Sequence, residues 1–161
     1  MQQFEQLLQL VRDTCSHGDA VAEETMTPKG VSIHAADLIG VCDALYRHPS
    51  AYFDMLSCIT AVDNGPDMGT MDLVYNLYSI PFNHSLALKV VVKRDNPVVD
   101  TLSSIWRTAS WHEREAFDLM GITFNGHPDL RRILLPADWE GYPLRKDYKH
   151  QEYYRGVKVE Y

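Results

Sequence analysis

Apolar positions recur along this chain at two periods, and the switches between them outline its elements. Phe4, Leu7, Leu8 and Val11 share one helical stripe, which predicts an opening amphipathic helix ending before Gly18. Ala20–Thr27 and Gly30–His34 read as two short strands around the turn Thr27-Pro28-Lys29-Gly30. Leu38, Val41, Cys42 and Leu45 return to helical spacing, so a second helix is expected over Asp37–Tyr46, stopped by Pro49.

Three strands should follow. Tyr52–Val62 is rich in apolar and β-branched residues and closes in the turn Asp63-Asn64-Gly65-Pro66. Met71–Ile80 sets Met71, Leu73, Tyr75 and Leu77 against Asp72 and Asn76. Ser85–Lys93 alternates Leu86, Leu88, Val90 and Val92 with Ala87, Lys89, Val91 and Lys93. This alternation implies a sheet covered mainly on one face. Asn96-Pro97 resembles a helix start, and Val98, Val99, Leu102, Ile105 and Trp106 would continue it as an apolar stripe. The pattern predicts an α+β fold, with helices packed on a mostly antiparallel sheet.

Beyond Gly121 the periodicity fades. The run from Gly121 to Tyr161 has little amphipathic pattern outside LRRILL, yet it is rich in Trp, Tyr, Leu and Arg. Those residue types are enriched at protein interfaces, and the composition is unlike that of a disordered tail. The expected organisation is an α+β domain over residues 1–121 followed by an irregular, extended, partner-binding segment over residues 122–161.

Composition narrows the function. The 161 residues carry a net charge of −7, which disfavours sequence-independent nucleic-acid binding. Residues 1–111 hold 7 Lys and Arg against 13 Asp and Glu, whereas residues 112–161 hold 8 against 9, a denser mixture of both signs. No apolar run has the length of a bilayer span, and the start lacks the marks of a signal or transit peptide, so a cytoplasmic location is expected. Cys15, Cys42 and Cys58 form no CxxC pair, which argues against a zinc or iron–sulfur site and for buried reduced thiols.

Candidate chemistry concentrates in SWHEREAFDLMG, Ser110–Gly121. Ser110 and Glu113 have the spacing of a capping box, with Gly121 as the terminating residue. Arg114 and Asp118 form an i,i+4 pair, and Arg131, Arg132, Arg145 and Lys146 are available as further cations for Glu115 and Asp118. On this reading, losing Arg131 or Glu115 would break a buried ion pair, at about 3–5 kcal/mol. A metal-dependent hydrolase would use His112, Glu113 and His127, but Ala116 occupies the place of the second histidine in H-E-x-x-H. Glu113 and Glu115 lie two apart and diverge around a helix, and no cysteine lies near His112 or His127 in sequence. A helix that holds something is therefore favoured over one that catalyses.

One many-position pattern is specific. Glu113-Arg114-Glu115, Asp118-Leu119-Met120, His127, Arg131 and Ile133-Leu134 resemble the hallmark of one subunit family of respiratory complex I. This is the C subunit, or thirty-kilodalton subunit, of NADH:quinone oxidoreductase, and Asp138-Trp139-Glu140-Gly141-Tyr142-Pro143-Leu144-Arg145-Lys146-Asp147-Tyr148 resembles its continuation. The resemblance implies a cofactor-free scaffold in the peripheral arm, beside the forty-nine-kilodalton quinone-site subunit and the iron–sulfur subunits. Flavin mononucleotide, the iron–sulfur clusters and quinone would belong to the complex as a whole. The complex would couple electron transfer from NADH to quinone with proton translocation, on the cytoplasmic side of a bacterial inner membrane. Glu113, Arg114, Glu115, Asp118, His127, Arg131, Ile133, Leu134, Trp139, Arg145 and Lys146 are the implied motif or partner-interface residues. The pattern is shared with membrane-bound hydrogenases and F420H2 dehydrogenases.

Overall fold

A computed structural model of the chain describes residues 2–159, with Gln2 described in its backbone alone. Helix α1 spans Gln2–Thr14, and the short strands β1, Val21–Glu23, and β2, Gly30–Ile33, follow. Helix α2 covers Leu38–Arg47. Strands β3, Met55–Asp63, β4, Thr70–Ser79, and β5, His84–Lys93, make the meander that the alternation predicts. After it come β6, Val98–Asp100, helix α3, Ala109–Met120, and β7, Thr123–Asn125. A two-residue hairpin, β8 at Tyr153–Tyr154 and β9 at Val157–Lys158, lies near the end.

The main sheet has the order β1-β2-β5-β4-β3 and is antiparallel except where β2 runs parallel to β5. Its inner face carries Val31, Leu56, Met71, Leu73, Tyr75, Leu77, Leu86, Leu88 and Val90, all buried. Leu7, Leu8 and Val11 of α1 and Leu38, Val41, Cys42 and Leu45 of α2 join the same core. The other face is mixed, with Val62 and Val91 exposed among its polar groups. Lys89 reaches Asp72 at 3.2 Å across it, Ser32 donates to Glu23, and Asn64 donates to Asp72. Burial therefore divides along the period-2 pattern, as a one-sided sheet requires.

The helix expected from Asn96-Pro97 does not form. Val98 and Val99 instead pair in parallel with Thr123 and Phe124 as β6 and β7, and the chain then passes through turns from Thr101 to Thr108. Two adjacent β-branched residues suit a strand, and the Pro97 carbonyl accepts from Thr123 N–H at 2.8 Å. The apolar stripe marks burial correctly, since Val99, Leu102 and Trp106 are all in the core, but burial alone does not choose the backbone. Ile122 and Phe124 are buried with them, so the regular body runs on through Asn125. The thiols differ too: all three are free, but only Cys42 is buried, while Cys15 and Cys58 are partly exposed.

Candidate functional site

Helix α3 is where the charged motif meets the body. It ends as its sequence predicts: Gly121 takes φ +74°, and its N–H bonds Phe117 O at 2.9 Å. Tyr142 lies over that glycine, 2.5 Å from where a Cβ would stand. Its start differs from expectation. The N-cap is Thr108, not Ser110, and the Thr108 hydroxyl donates to Leu56 O across the edge of the sheet. Ser110 and Glu113 therefore form no capping box.

Glu113 points into the body and is fully buried. It accepts from Leu102 N–H at 2.7 Å and from the Thr101 hydroxyl at 2.5 Å, pinning the turn that replaces the expected helix. Burial pushes its carboxyl above the ordinary range, against the opposing hydrogen bonds and the nearby His127. His127 Nε2 lies 3.8 Å from that carboxylate and 3.1 Å from Ser110 O, to which it donates. Nδ1 of the same ring accepts from Asp129 N–H at 3.0 Å. Glu113 and His127, two of the three residues that the disfavoured hydrolase reading would use, therefore stand side by side. As metal ligands they fail, because both ring nitrogens and both carboxylate oxygens already have protein partners.

Asp118 is the centre of the arrangement. One of its oxygens accepts three consecutive amides, Ile133, Leu134 and Leu135, at 2.9, 2.7 and 2.9 Å. The other oxygen takes Arg132 at 2.8 Å. Successive N–H groups turned toward one point make an anion nest, and the anion here is the chain's own. Burial by itself would raise the Asp118 carboxyl; the Leu135 amide, Arg132 and the other two amides outweigh it and hold the group low. Arg132 also binds Asp118 O, Trp139 O and Gly141 O, and its guanidinium stacks on Tyr142.

The remaining arginines mostly seek carbonyls. Arg114 donates to Arg131 O and Arg132 O and stacks on Trp111, and it makes no pair with Asp118. Arg145 donates to Met120 O at 2.7 Å and lies over Tyr142. Lys146 contributes its backbone N–H, to Asp63, rather than its ammonium. Asp63 ends β3 fully covered and also takes Gly65 N–H and Arg94, which in turn grips Asp147. The Arg94 guanidinium, helped by those amides against burial, holds the Asp63 carboxyl well below its usual range.

Two motif residues stand apart. Glu115 is exposed at the rim of a groove beside β3, and Arg131 is exposed, with its guanidinium on Asp129. Neither takes part in the buried pairing expected from the sequence; Arg132 does. Ile133 lies partly covered over the Asp118 carboxylate, Leu134 projects outward with 62% of its surface exposed, and the Trp139 indole donates to Tyr148. Sequence reading missed Asp63 and Arg94, 31 positions apart, because only the meander brings them together.

This is a fold whose buried carboxylates Asp63 and Asp118 hold chain on chain, and solved structures share it. A trypsin-resistant fragment of Nqo5 superposes with a TM-score of 0.61 at 23% identity, covering 80% of this chain and 99% of that one. A chain of the membrane-bound sulfane sulfur reductase, an archaeal respiratory membrane complex, gives 0.73 at 21% identity, covering 91% and 86%. At those identities the likeness is one of fold.

Sequence defines the family. Residues 31–154 match the family of the respiratory-chain NADH dehydrogenase 30 kDa subunit. The NADH-quinone oxidoreductase C subunit of Chlorobium phaeobacteroides is 50% identical over 115 residues, 71% of this chain and 69% of its own length. The C subunit of Chloroherpeton thalassium is 51% identical over 110 residues, 68% of this chain and 45% of its own length. A C subunit of the Rhizobium etli enzyme is 40% identical over 139 residues, 84% and 73% of the two chains. The chain belongs to the family of the 30 kDa subunit of respiratory-chain NADH dehydrogenase.

Proposed function

We propose that the chain is a cofactor-free scaffold subunit in the peripheral arm of NADH:quinone oxidoreductase, with no catalytic activity of its own. In this reading it lies beside the forty-nine-kilodalton quinone-site subunit and the iron–sulfur subunits. It serves a complex that couples NADH oxidation to quinone reduction and proton translocation. The flavin, the iron–sulfur clusters and quinone are held by the other subunits. The chain reaches the cytoplasmic side of the bacterial inner membrane only through the complex; among the described residues no helix is long and apolar enough to cross it.

The observation that carries this reading is the Asp118 latch. A buried carboxylate with four donors has no capacity left for a substrate. It fixes a segment whose outer side displays Leu134, Leu144, Tyr153 and Val157, each more than half exposed. Apolar side chains presented on a segment anchored by its backbone suit a protein partner. Family membership supplies the complex.

Affinity isolation of the tagged chain from its native membranes tests the proposal. A flavin-containing NADH-oxidising subunit and the large quinone-site subunit should be recovered with it, and residues 126–159 should resist trypsin better in the complex than in the isolated chain. A nickel–iron hydrogenase in their place would overturn the assignment, as would equal lability of the segment in both states.

A further inference from the structure

We infer that Asn125 is a site of spontaneous covalent modification, where the folded chain converts its own side-chain amide to an isoaspartyl link at the passage from the body into the C-terminal segment. The chain holds two Asn-Gly pairs, Asn64-Gly65 and Asn125-Gly126. Glycine lacks a Cβ, so its nitrogen can approach the preceding side chain more closely than that of any other residue. The two pairs are alike in sequence and opposite in the fold.

Asn64-Gly65 is locked. The Asn64 amide donates to Asp72 at 2.8 Å and to the Thr70 hydroxyl at 3.1 Å. Gly65 N–H, whose nitrogen would have to attack, donates to the buried Asp63 carboxylate at 3.0 Å. Gly65 is itself buried, with the Lys146 stem against it. At Asn125-Gly126 both residues are exposed. Among the described residues neither the Asn125 side chain nor Gly126 N–H has a hydrogen-bond partner. Asn125 is also the last residue of the three-residue β7. Turning its carbonyl so that Gly126 N faces its side chain breaks the bond from Thr101 N–H to Asn125 O, at 2.9 Å. It also loosens the longer turn bond from His127 N–H to Phe124 O, at 3.3 Å. Both are neutral bonds, whereas two of the three at Asn64-Gly65 end on carboxylates and are about twice as strong.

The reaction needs no reagent but water. Gly126 N bonds to Asn125 Cγ as the Cγ–Nδ2 bond breaks; the Gly126 amide proton passes through solvent to the departing nitrogen, which leaves as ammonia. Water then cleaves one of the two acyl bonds of the cyclic imide so formed. Breaking the bond to Cγ leaves aspartate. Breaking the bond to the main-chain carbonyl carbon leaves isoaspartate, in which the chain runs through Cγ. Nothing is oxidised or reduced. The isoaspartyl product adds a methylene to the main chain and a carboxylate beside Asp100, the partner of Asn125 in the β6–β7 ladder. Two residues on, His127 donates to Ser110 O and stands 3.8 Å from Glu113. The added length therefore falls where the segment is first tied to α3. This chemistry does not rest on the function proposed above.

Holding the purified chain in mildly alkaline buffer and mapping its tryptic peptides by mass and chromatography tests this. In the folded chain Asn125 should convert to aspartyl and isoaspartyl forms at least about 10-fold faster than Asn64, because the stronger bonds at Asn64 must open first. In denaturant the two should convert at similar rates, and Asn125→Ser should remove the fast conversion. The isoaspartyl fraction should be cut by trypsin at Arg131 and Arg132 several-fold faster than Asn125→Asp, which carries the charge without the added length. An Asn125 that stays an amide in the folded chain but reacts in denaturant would overturn the inference. Conversion of Asn64 as fast as Asn125 in the folded chain would overturn it too. Equal cutting of the isoaspartyl fraction and Asn125→Asp would refute the effect on the segment.

Discussion

The body of this protein and its C-terminal segment are held by opposite means. Residues 2–125 close over an apolar core of sheet face and helix stripes, in which side chains such as Leu73, Leu88 and Tyr75 have no exposed surface. Residues 126–159 have little regular structure, and polar groups fasten them to the body. Asp118 takes the amides of Ile133 to Leu135, Asp63 takes Lys146 N–H, and Arg132 and Arg145 bind carbonyls at the end of α3. Apolar burial is non-directional and cooperative, whereas hydrogen bonds to backbone fix a path residue by residue. A segment that must present chosen side chains outward benefits from the second kind of fastening, because the first would bury them.

The contrast can be broken most strongly at Asp118. Asp118→Ala leaves Arg132 and three amides without their anion and should cost about 3–5 kcal/mol. The loss should fall on the segment: trypsin should cut at Arg131, Arg132 and Arg145 while the near-ultraviolet circular dichroism of the body persists. Leu88→Ala should cost about 2–5 kcal/mol but distribute it differently, shifting the single urea transition of the body. If Asp118→Ala shifted that transition as much and exposed no new cleavage sites, the two regions would be one unit.

Titration sets Glu113 against the carboxylates that fasten the segment. Burial raises Glu113 in the folded body, so the folded state binds that proton more tightly, and body stability should rise as pH falls from neutrality toward about 4.3, the unfolded glutamate value. Asp63 and Asp118 are held low. Their contribution is complete above about 3.9, the unfolded aspartate value, and disappears as pH falls further. Thermal melts between pH 7 and 3 should therefore pass through a maximum in mild acid, and Glu113→Gln should flatten the rise without moving the acid loss. A monotonic fall from pH 7 downward would contradict the role of Glu113. The smallest effect belongs to Arg131→Ala. With its guanidinium paired to Asp129 on the surface, it should change stability by no more than about 0.5 kcal/mol in a denaturant melt.

That last prediction reverses what the sequence suggested, and the reversal has a physical cause. Period-2 alternation in β5, the stripe of α2 and the glycine ending α3 are legible because each reports a local geometry. Arg131 and Arg132 are adjacent and alike in the sequence; which of them turns inward depends on the nest around Asp118, a property of the three-dimensional path. Glu113 was legible as important but not in its role. A capping box and a buried contact with the turn 101–102 demand the same residue type, and only the true start of α3 at Ala109 separates them. Val98 and Val99 erred the other way, their apolar stripe fitting a helix while their partner strand lay 25 residues downstream.

The central claim is that the charged face of α3 holds the chain's own irregular segment in place. Amide exchange of Ile133, Leu134 and Leu135 in wild type and Asp118→Ala tests it most directly. The account predicts that these amides and those at Leu144 and Lys146 lose protection in the variant while amides of β4 and β5 keep theirs. Unchanged protection at Ile133–Leu135, or an equal loss throughout the sheet, would contradict it.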